Sequence, residues 1–364
     1  MKPAAETRGT EPGDWVATIL ASIESGRPFA VATVLQADHS TPVKAGAKAV
    51  IEADGTIHGT VGGGAVEAEA QQRARLAVQS GSPLLFEVGL RGPGGDDARP
   101  ICGGSMRLLV DPTAAPSQVE YRRAADALAT RERGLWLTAL RQQGSLVVEA
   151  HYVAERDFAS VGGFPGADAL RSCLAEETPE LFAAPASPGS ERVEVLAEPL
   201  VPRPVLLVVG AGHIGQAVAA HAGLLGFEIV VIDDRPEFAD PTLFPPGVTI
   251  RCGEVAREVA AFPVHEDTFI VLVTRGHQHD AAALRACIRR PAAYIGMIGS
   301  RRKVPLVRRQ FLEAGWATAA EFDGVYAPIG LDLGAVTVPE IAASIVAQIV
   351  AVRRKGTAPR MPLT

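Results

Sequence analysis

At 364 residues the chain is long enough for two domains, each with its own core. Its 47% hydrophobic and 21% charged residues describe a globular protein rather than a disordered or fibrous one. The formal net charge of -6 argues against general nucleic-acid binding, which needs a broad positive footprint.

The opening stretch, MKPAAETRGTEPGDW, lacks the apolar centre of a signal peptide. No apolar run approaches the ~20 residues that span a bilayer, so the expectation is a cytoplasmic protein with no membrane or nucleic-acid partner. Asp14 to Ser25 predicts an amphipathic helix, with Trp15, Ile19, Leu20 and Ile23 on one stripe. Extended segments follow at Phe29 to Leu35, Ala47 to Ile51 and Thr56 to Val61, the last two joined by the hairpin signal Asp54-Gly55. Within TVGGGAVE, Gly62, Gly63 and Gly64 precede a helix expected from about Val66 to Gln79, with Glu67 in its first turn. Such a loop offers backbone N–H donors to an anion.

Strands are expected at Leu84 to Val88 and Met106 to Val110, separated by a glycine-rich loop, Gly89 to Pro100. Cys102, beside two glycines, can present sulfur to a ligand, although a buried inert thiol is the better reading of its chemistry alone. With Cys173, Cys252 and Cys287 it shows no C-x-x-C spacing, so neither a zinc site nor a disulfide framework is indicated. A helix at Tyr121 to Thr130, a strand pair at Leu135 to Leu140 and Leu146 to His151, and a helix at Ala167 to Glu176 complete a smaller α+β domain over residues 13–200. Ala183 to Gly189 predicts a surface loop. Val201 to Pro204, VPRP, opens a second domain over residues 201–356.

That domain begins with a β-branched strand, Val205 to Val209, followed by Gly210, Gly212 and Gly215 in G-x-G-x-x-G spacing and an alanine-rich helix. The first glycine serves a tight turn, the second lets backbone approach a phosphate, and the third lets helix pack on strand. A second strand, Phe227 to Ile232, leads to Asp233, where a Rossmann fold places its ribose-binding acid, with Arg235 close by. The alternative is that the glycines serve packing and no dinucleotide binds. His213, inside the loop, reads as a phosphate-edge or surface residue.

Further extended segments at Val248, Phe269 and Ala292 imply an α/β fold, a doubly wound parallel sheet of the Rossmann kind. Ligands of such sheets bind beyond the carboxyl ends of the strands. There the sequence places Thr274 to Asp280, TRGHQHD, in which His277, His279 and Asp280 suit hydrogen bonding or helix capping better than a metal. Ser300, Arg301, Arg302 and Lys303 are expected to open a helix, and three cations beside the helix dipole favour a bound phosphate or a partner's carboxylates, the alternative being that the side chains splay into water. Gly330, Asp332 and Gly334 allow a close backbone approach or a tight turn, and Thr337 with Glu340 predicts a capping box for the last helix. The apolar stripe of that helix, Ile341, Ile345, Ile349 and Val352, suits either self-association or packing on the sheet.

Taken together, STPVKAGAK (Ser40 to Lys48), DGTIHGTVGGGAVEAE (Asp54 to Glu69), CGG (Cys102 to Gly104), VVGAGHIG (Val208 to Gly215), IDDRPEFA (Ile232 to Ala239), YIGMIGSRRK (Tyr294 to Lys303) and PIGLDLGA (Pro328 to Ala335) resemble the XdhC/CoxI family. These are accessory proteins for molybdenum hydroxylases such as xanthine dehydrogenase, and the resemblance runs from about Trp15 to Arg354. It implies a homodimeric chaperone without turnover of its own. Such a chaperone binds molybdenum cofactor, as molybdopterin or its dinucleotide form, protects it during sulfuration by a cysteine desulfurase, and hands it to the apo-hydroxylase. The chain departs from the family where Ala65 replaces a cysteine, and where His39 and Val43 leave Lys44 and Lys48 as the only positive charge near the Ser-x-Pro segment. Cys102 then becomes the candidate molybdenum contact. Two other readings stand beside this one: an NAD(P)-dependent oxidoreductase using His277, His279 or Asp280 as proton donor, and an NAD-binding regulatory protein.

Overall fold

The computed structural model describes residues 14–38, 41–89, 104–161, 164–185 and 191–361, with Gln143, His277 and Gln278 described by backbone alone. The chain divides into two compact units, Met1–Pro202 and Arg203–Thr364, and the first is the longer of the two rather than the smaller.

The first unit contains α1 (Asp14–Ser25), β1 (Phe29–Asp38), β2 (Lys48–Glu52), β3 (Ile57–Gly59), α2 (Gly64–Ser80), β4 (Leu84–Gly89), β5 (Ser105–Asp111), α3 (Gln118–Ala129), β6 (Gly134–Gln143), β7 (Ser145–Ala154), α4 (Ala167–Glu176), β8 (Glu180–Ala183) and β9 (Arg192–Leu200). Its strands form two antiparallel sheets, ordered β3-β2-β1-β5-β4 and β7-β6-β9-β8. The Asp54-Gly55 signal makes the expected hairpin, with Ala49 opposite Gly59 and Ile51 opposite Ile57. Gly55 turns the corner at a φ of +96°, which a side chain would resist.

β1 reads as one apolar run because both its faces are covered. Ala30, Ala32 and Val34 meet Val66, Ala70 and Ala74 of α2. On the other face Leu35, with Leu109 of β5, meets Leu140 and Leu196 of the second sheet. That sheet in turn lays Leu135, Leu137, Val195 and Ala197 against Leu170, Cys173 and Leu174 of α4. The layers are therefore α2, sheet, sheet, α4.

Neither β8 nor β9 is anticipated by the sequence reading. β9 is nonetheless an interior strand, and its alternation is disguised because Glu194 and Glu198 stand where apolar residues are expected. Glu198 lies 2.8 Å from Lys48, with the two side chains 6% and 4% exposed. Glu194 takes both terminal nitrogens of Arg107 at 2.8 and 2.7 Å. Both pairs cross from one sheet to the other. Lys48, one of the two positive charges that the sequence leaves near the Ser-x-Pro segment, is therefore committed to Glu198.

The second unit contains β10 (Val205–Val209), α5 (His213–Gly223), β11 (Glu228–Asp233), β12 (Thr249–Cys252), α6 (Val255–Ala261), β13 (Thr268–Leu272), α7 (His277–Cys287), β14 (Tyr294–Met297), α8 (Val304–Glu313), α9 (Ala319–Asp323) and α10 (Val338–Lys355). Five parallel strands run β12-β11-β10-β13-β14, and a parallel bridge from Gly296 to Tyr326 adds a short extended segment outside β14. This is the Rossmann-like sheet expected from the strand and helix alternation. Leu207 and Val209 pack with α6, α7 and α8 through Val259, Leu284 and Phe311. Leu206 and Val208 pack with α5 and α10 through Val218, Ala219, Ile345 and Ile349. The apolar stripe of α10 is thus spent on the sheet, and Thr337 with Glu340 forms the expected capping box.

Gln348 of α10 is fully buried. Its Oε1 accepts from the Tyr294 hydroxyl at 2.7 Å and from Gly330 N–H at 2.9 Å. Its Nε2 donates to the carbonyls of Gly330 at 3.1 Å and Pro359 at 3.0 Å. One side chain therefore ties β14, the glycine turn at 330 and the segment beyond α10 together. Gln348→Leu would strand several of these groups without partners, and an expected loss of about 2–3 kcal/mol can be read from the urea unfolding midpoint.

Candidate functional site

At the carboxyl edge of the parallel sheet, the loops after β10, β11, β13 and β14 carry most of the residues singled out by sequence. The three glycines after β10 differ in what requires them. Gly210 adopts a φ of +112°, and a Cβ there would lie 2.5 Å from the Val273 carbonyl oxygen. A Cβ on Gly215 would lie 1.9 Å from the Gly210 carbonyl oxygen. The fold itself demands both.

Gly212 is different. Its φ is -68°, open to any residue, and a Cβ there would meet nothing within 4 Å. It is the N-cap of α5 and has no side-chain cap, so the first N–H groups of that helix face outward beside it. Glycine is an ordinary N-cap residue, and here it also leaves the helix start bare of any side chain, which suits an anion approaching the first N–H groups. His213, the first residue of α5, is exposed at the same edge.

Asp233 ends β11 with its side chain 3% exposed. It accepts from Ala211 N–H at 2.7 Å, tying the glycine loop to the next strand. Burial acts to raise its carboxyl, but the hydrogen bonds from the Arg235 side chain, Ala211 N–H and Arg235 N–H outweigh burial and hold it below the ordinary carboxylate value. Arg235 lies over the Phe238 ring, 3.7 Å from its centroid.

After β13, Asp280 is 4% exposed and accepts from both the backbone N–H and the hydroxyl of Thr274, at 2.9 and 2.6 Å. It shapes this loop, which explains why a carboxylate follows the histidines. His279 is exposed, and the side chain of His277 lies outside the described residues. Among the described residues, no group of three His, Cys, Asp or Glu side chains can hold a metal.

The loop after β14 corrects one expectation. Arg301, Arg302 and Lys303 form a turn ahead of α8 rather than its first turn, because the helix begins at Val304 with Lys303 as N-cap. Arg301 meets Asp332 at 3.1 Å, so the chain itself supplies one of the balancing carboxylates. Lys303, Ser300, Gly299, Thr274 and Gly276 border a cavity of about 240 Å³, floored by Val304 and Val307. A larger groove of about 670 Å³ lies on α6 and α7, lined by Ala256, Ala281, Ala282, Ala286, Arg285 and Trp316. Arg285 and Gln310 are its polar groups and none of the residues singled out by sequence lines it, whereas Thr274, Asp280, Ser300 and Lys303 all line the smaller cavity, which is the stronger candidate.

In the first unit, Gly62, Gly63 and Gly64 take φ values of +122°, +73° and +53° in succession, a backbone that only glycine adopts comfortably. Glu67 already occupies part of this loop, accepting from Gly63 N–H at 3.2 Å and from the Thr60 hydroxyl at 2.6 Å. Ala65 is exposed in the first turn of α2. Cys102 lies outside the described residues. Cys252, which sequence reasoning did not single out, is an exposed free thiol at the end of β12, while Cys173 and Cys287 are buried and burial raises each thiol to about 12.

Residues 206–349 match the XdhC Rossmann domain, and residues 22–89 match the XdhC and CoxI family. The chain is 29% identical over 334 residues to the uncharacterized protein YqeB of Escherichia coli; the match takes in 92% of this chain and 45% of that protein. It is 24% identical over 350 residues to a Bacillus subtilis protein whose name makes it a probable component of xanthine dehydrogenase, covering 94% of this chain and 98% of that one. A crystal structure of a xanthine dehydrogenase from Bacillus halodurans shares the fold with a TM-score of 0.71 at 23% identity, over 94% of this chain and 98% of the other. No helix among the described residues is long and apolar enough to cross a membrane. With its glycine-loop parallel sheet preceded by antiparallel sheets, and with family matches in both units, the chain belongs to the XdhC and CoxI family.

Proposed function

We propose that this protein is an accessory chaperone in the maturation of a molybdenum hydroxylase of the xanthine dehydrogenase kind. In this reading it binds molybdenum cofactor, shields it during sulfuration by a cysteine desulfurase, and delivers it to the apo-hydroxylase without turnover of its own. The Bacillus subtilis relative, named for xanthine dehydrogenase, and the family matches support the association. The observation that carries the ligand class is Gly212, a glycine that neither backbone strain nor packing requires, at an uncapped helix start.

The residues present fit the phosphate end of such a cofactor. Backbone N–H groups at the start of α5 can donate to an anion, while Ser300 and Lys303 offer a hydroxyl and a cation around the adjoining cavity. When bound, the cofactor supplies a pterin, a phosphate and a molybdenum centre. The part of this chain is to hold the phosphate and exclude water until transfer.

The test is to incubate the protein separately with molybdenum cofactor released from a donor enzyme and with NAD(H) or NADP(H), desalt, and quantify what is retained. Retained pterin and molybdenum that reactivate an apo-hydroxylase are expected. Retention of a nicotinamide dinucleotide alone would replace this reading with a dinucleotide-binding enzyme or regulator.

A further inference from the structure

A dinucleotide site of the Rossmann type needs the acid at the end of its second strand to receive the ribose hydroxyls. A carboxylate has about four acceptor positions, two on each oxygen. At Asp233 all four are taken. Oδ1 accepts from the backbone N–H of Arg235 at 3.0 Å and from its Nε at 2.9 Å. Oδ2 accepts from Ala211 N–H at 2.7 Å and from a terminal nitrogen of Arg235 at 2.9 Å.

The two backbone donors belong to the loop itself, so the ribose could claim only the positions held by the guanidinium. That group is well fixed. It engages both carboxylate oxygens, its side chain is 17% exposed against 3% for Asp233, and it is stacked on Phe238 at 3.7 Å. A two-point ion pair with a flat aromatic beneath it is costly to displace by two neutral hydroxyls. A ribose 2′-phosphate finds no opening either, since the arginine that would receive it already serves Asp233.

From this geometry we infer that Arg235 is a specificity residue that closes the ribose subsite, so that the glycine loop takes a phosphate or diphosphate with no nucleoside seated on Asp233. The inference rests on the glycine loop binding an anionic cofactor, as proposed above, and narrows that cofactor to one recognised by its phosphate end. Gly212 and the open start of α5 remain accessible to a phosphate, because neither takes part in the Asp233 pair.

Calorimetric titration of the whole chain with inorganic pyrophosphate, ADP-ribose and NAD⁺ tests it. In the unaltered protein the nucleoside is expected to add nothing, so ADP-ribose and NAD⁺ bind no more tightly than pyrophosphate. Arg235→Met keeps an apolar stem over Phe238 while removing the side-chain donors, and should strengthen ADP-ribose binding at least about tenfold relative to pyrophosphate as hydroxyls reach the freed carboxylate. A thermal melt checks that the variant is folded, and Arg235→Leu, which likewise removes the donors, serves if it is not.

ADP-ribose or NAD⁺ binding the unaltered protein about tenfold or more tightly than pyrophosphate would overturn the inference. So would a folded Arg235 variant with no gain. None of these titrations uses molybdenum cofactor, so their outcome is separate from the retention of pterin that tests the chaperone reading.

Discussion

Lys48→Met is expected to destabilise the N-terminal unit by about 3–5 kcal/mol, the usual consequence of removing one partner from a buried ion pair. Lys48 and Glu198 are 4% and 6% exposed, and Lys48 also reaches the Thr33 hydroxyl at 3.2 Å and lies 5.1 Å from the centre of the Trp15 ring. Methionine keeps the stem and the aromatic contact but leaves Glu198 facing an apolar interface. For a unit of this size the loss corresponds to roughly 6–20 °C in melting temperature.

The deficit should also depend on pH, and its sign follows from Glu198. Burial pushes its carboxyl above the ordinary glutamate value, with Lys48 opposing, so without Lys48 the group rises further and takes a proton in the folded state. A raised carboxyl contributes stability that is complete below the unfolded value and is lost as pH rises through the folded value. The variant should therefore lie closest to the parent in acid, below the ordinary glutamate value of about 4.3, and fall behind as pH increases. The double variant Lys48→Met/Glu198→Leu removes both charges from the same interface and should recover most of the loss, since a buried pair often does no better than apolar residues of similar volume. A single variant as stable as the parent at every pH would show that the two sheets do not depend on this pair.

The second large effect separates two glycines three residues apart. Gly215→Ala drives a methyl group to 1.9 Å from the Gly210 carbonyl oxygen, so helix α5 must move off the sheet. A loss of about 3 kcal/mol or more is expected in unfolding experiments on the C-terminal unit. Gly212→Ala meets no atom within 4 Å and asks for no unusual φ, so the cost is only that of a poorer N-cap and stability should fall by about 1 kcal/mol or less. The same change places a methyl group where a phosphate approaches the backbone, and retained cofactor after desalting should fall about tenfold or more. If Gly212→Ala binds as the parent does, the anion is held elsewhere and the loop is a packing device.

The fold of the second unit was largely legible because each signal in it is local. A strand buried on both faces is a continuous apolar run, and the glycine spacing, the following helix and the terminal Asp233 lie within one stretch of chain. The capping box of Thr337 and Glu340 is equally local, since its partners lie three residues apart. The hairpin at Asp54-Gly55 belongs to the same class. The Arg301 turn departs from expectation for a related reason. Composition marks a loop that leads to a helix, but where the helix begins depends on backbone geometry that the three cations do not reveal.

By itself, then, the sequence determined the order of strands, glycines and helices that makes a Rossmann-like sheet, the family motifs, and the carboxyl edge as the place to look for a ligand. Tertiary structure alone decided which charges there are committed. Glu198 finds Lys48 across 150 residues and Glu194 finds Arg107 across 87, so β9 reads as a charged segment until the opposite sheet is in place. Asp233 and Arg235 are two residues apart, yet their spacing is equally compatible with a ribose-binding acid and with a closed ion pair. Periodicity records which residues avoid water. It does not record which partner satisfies a buried charge, because that depends on the distances and directions set when the layers pack.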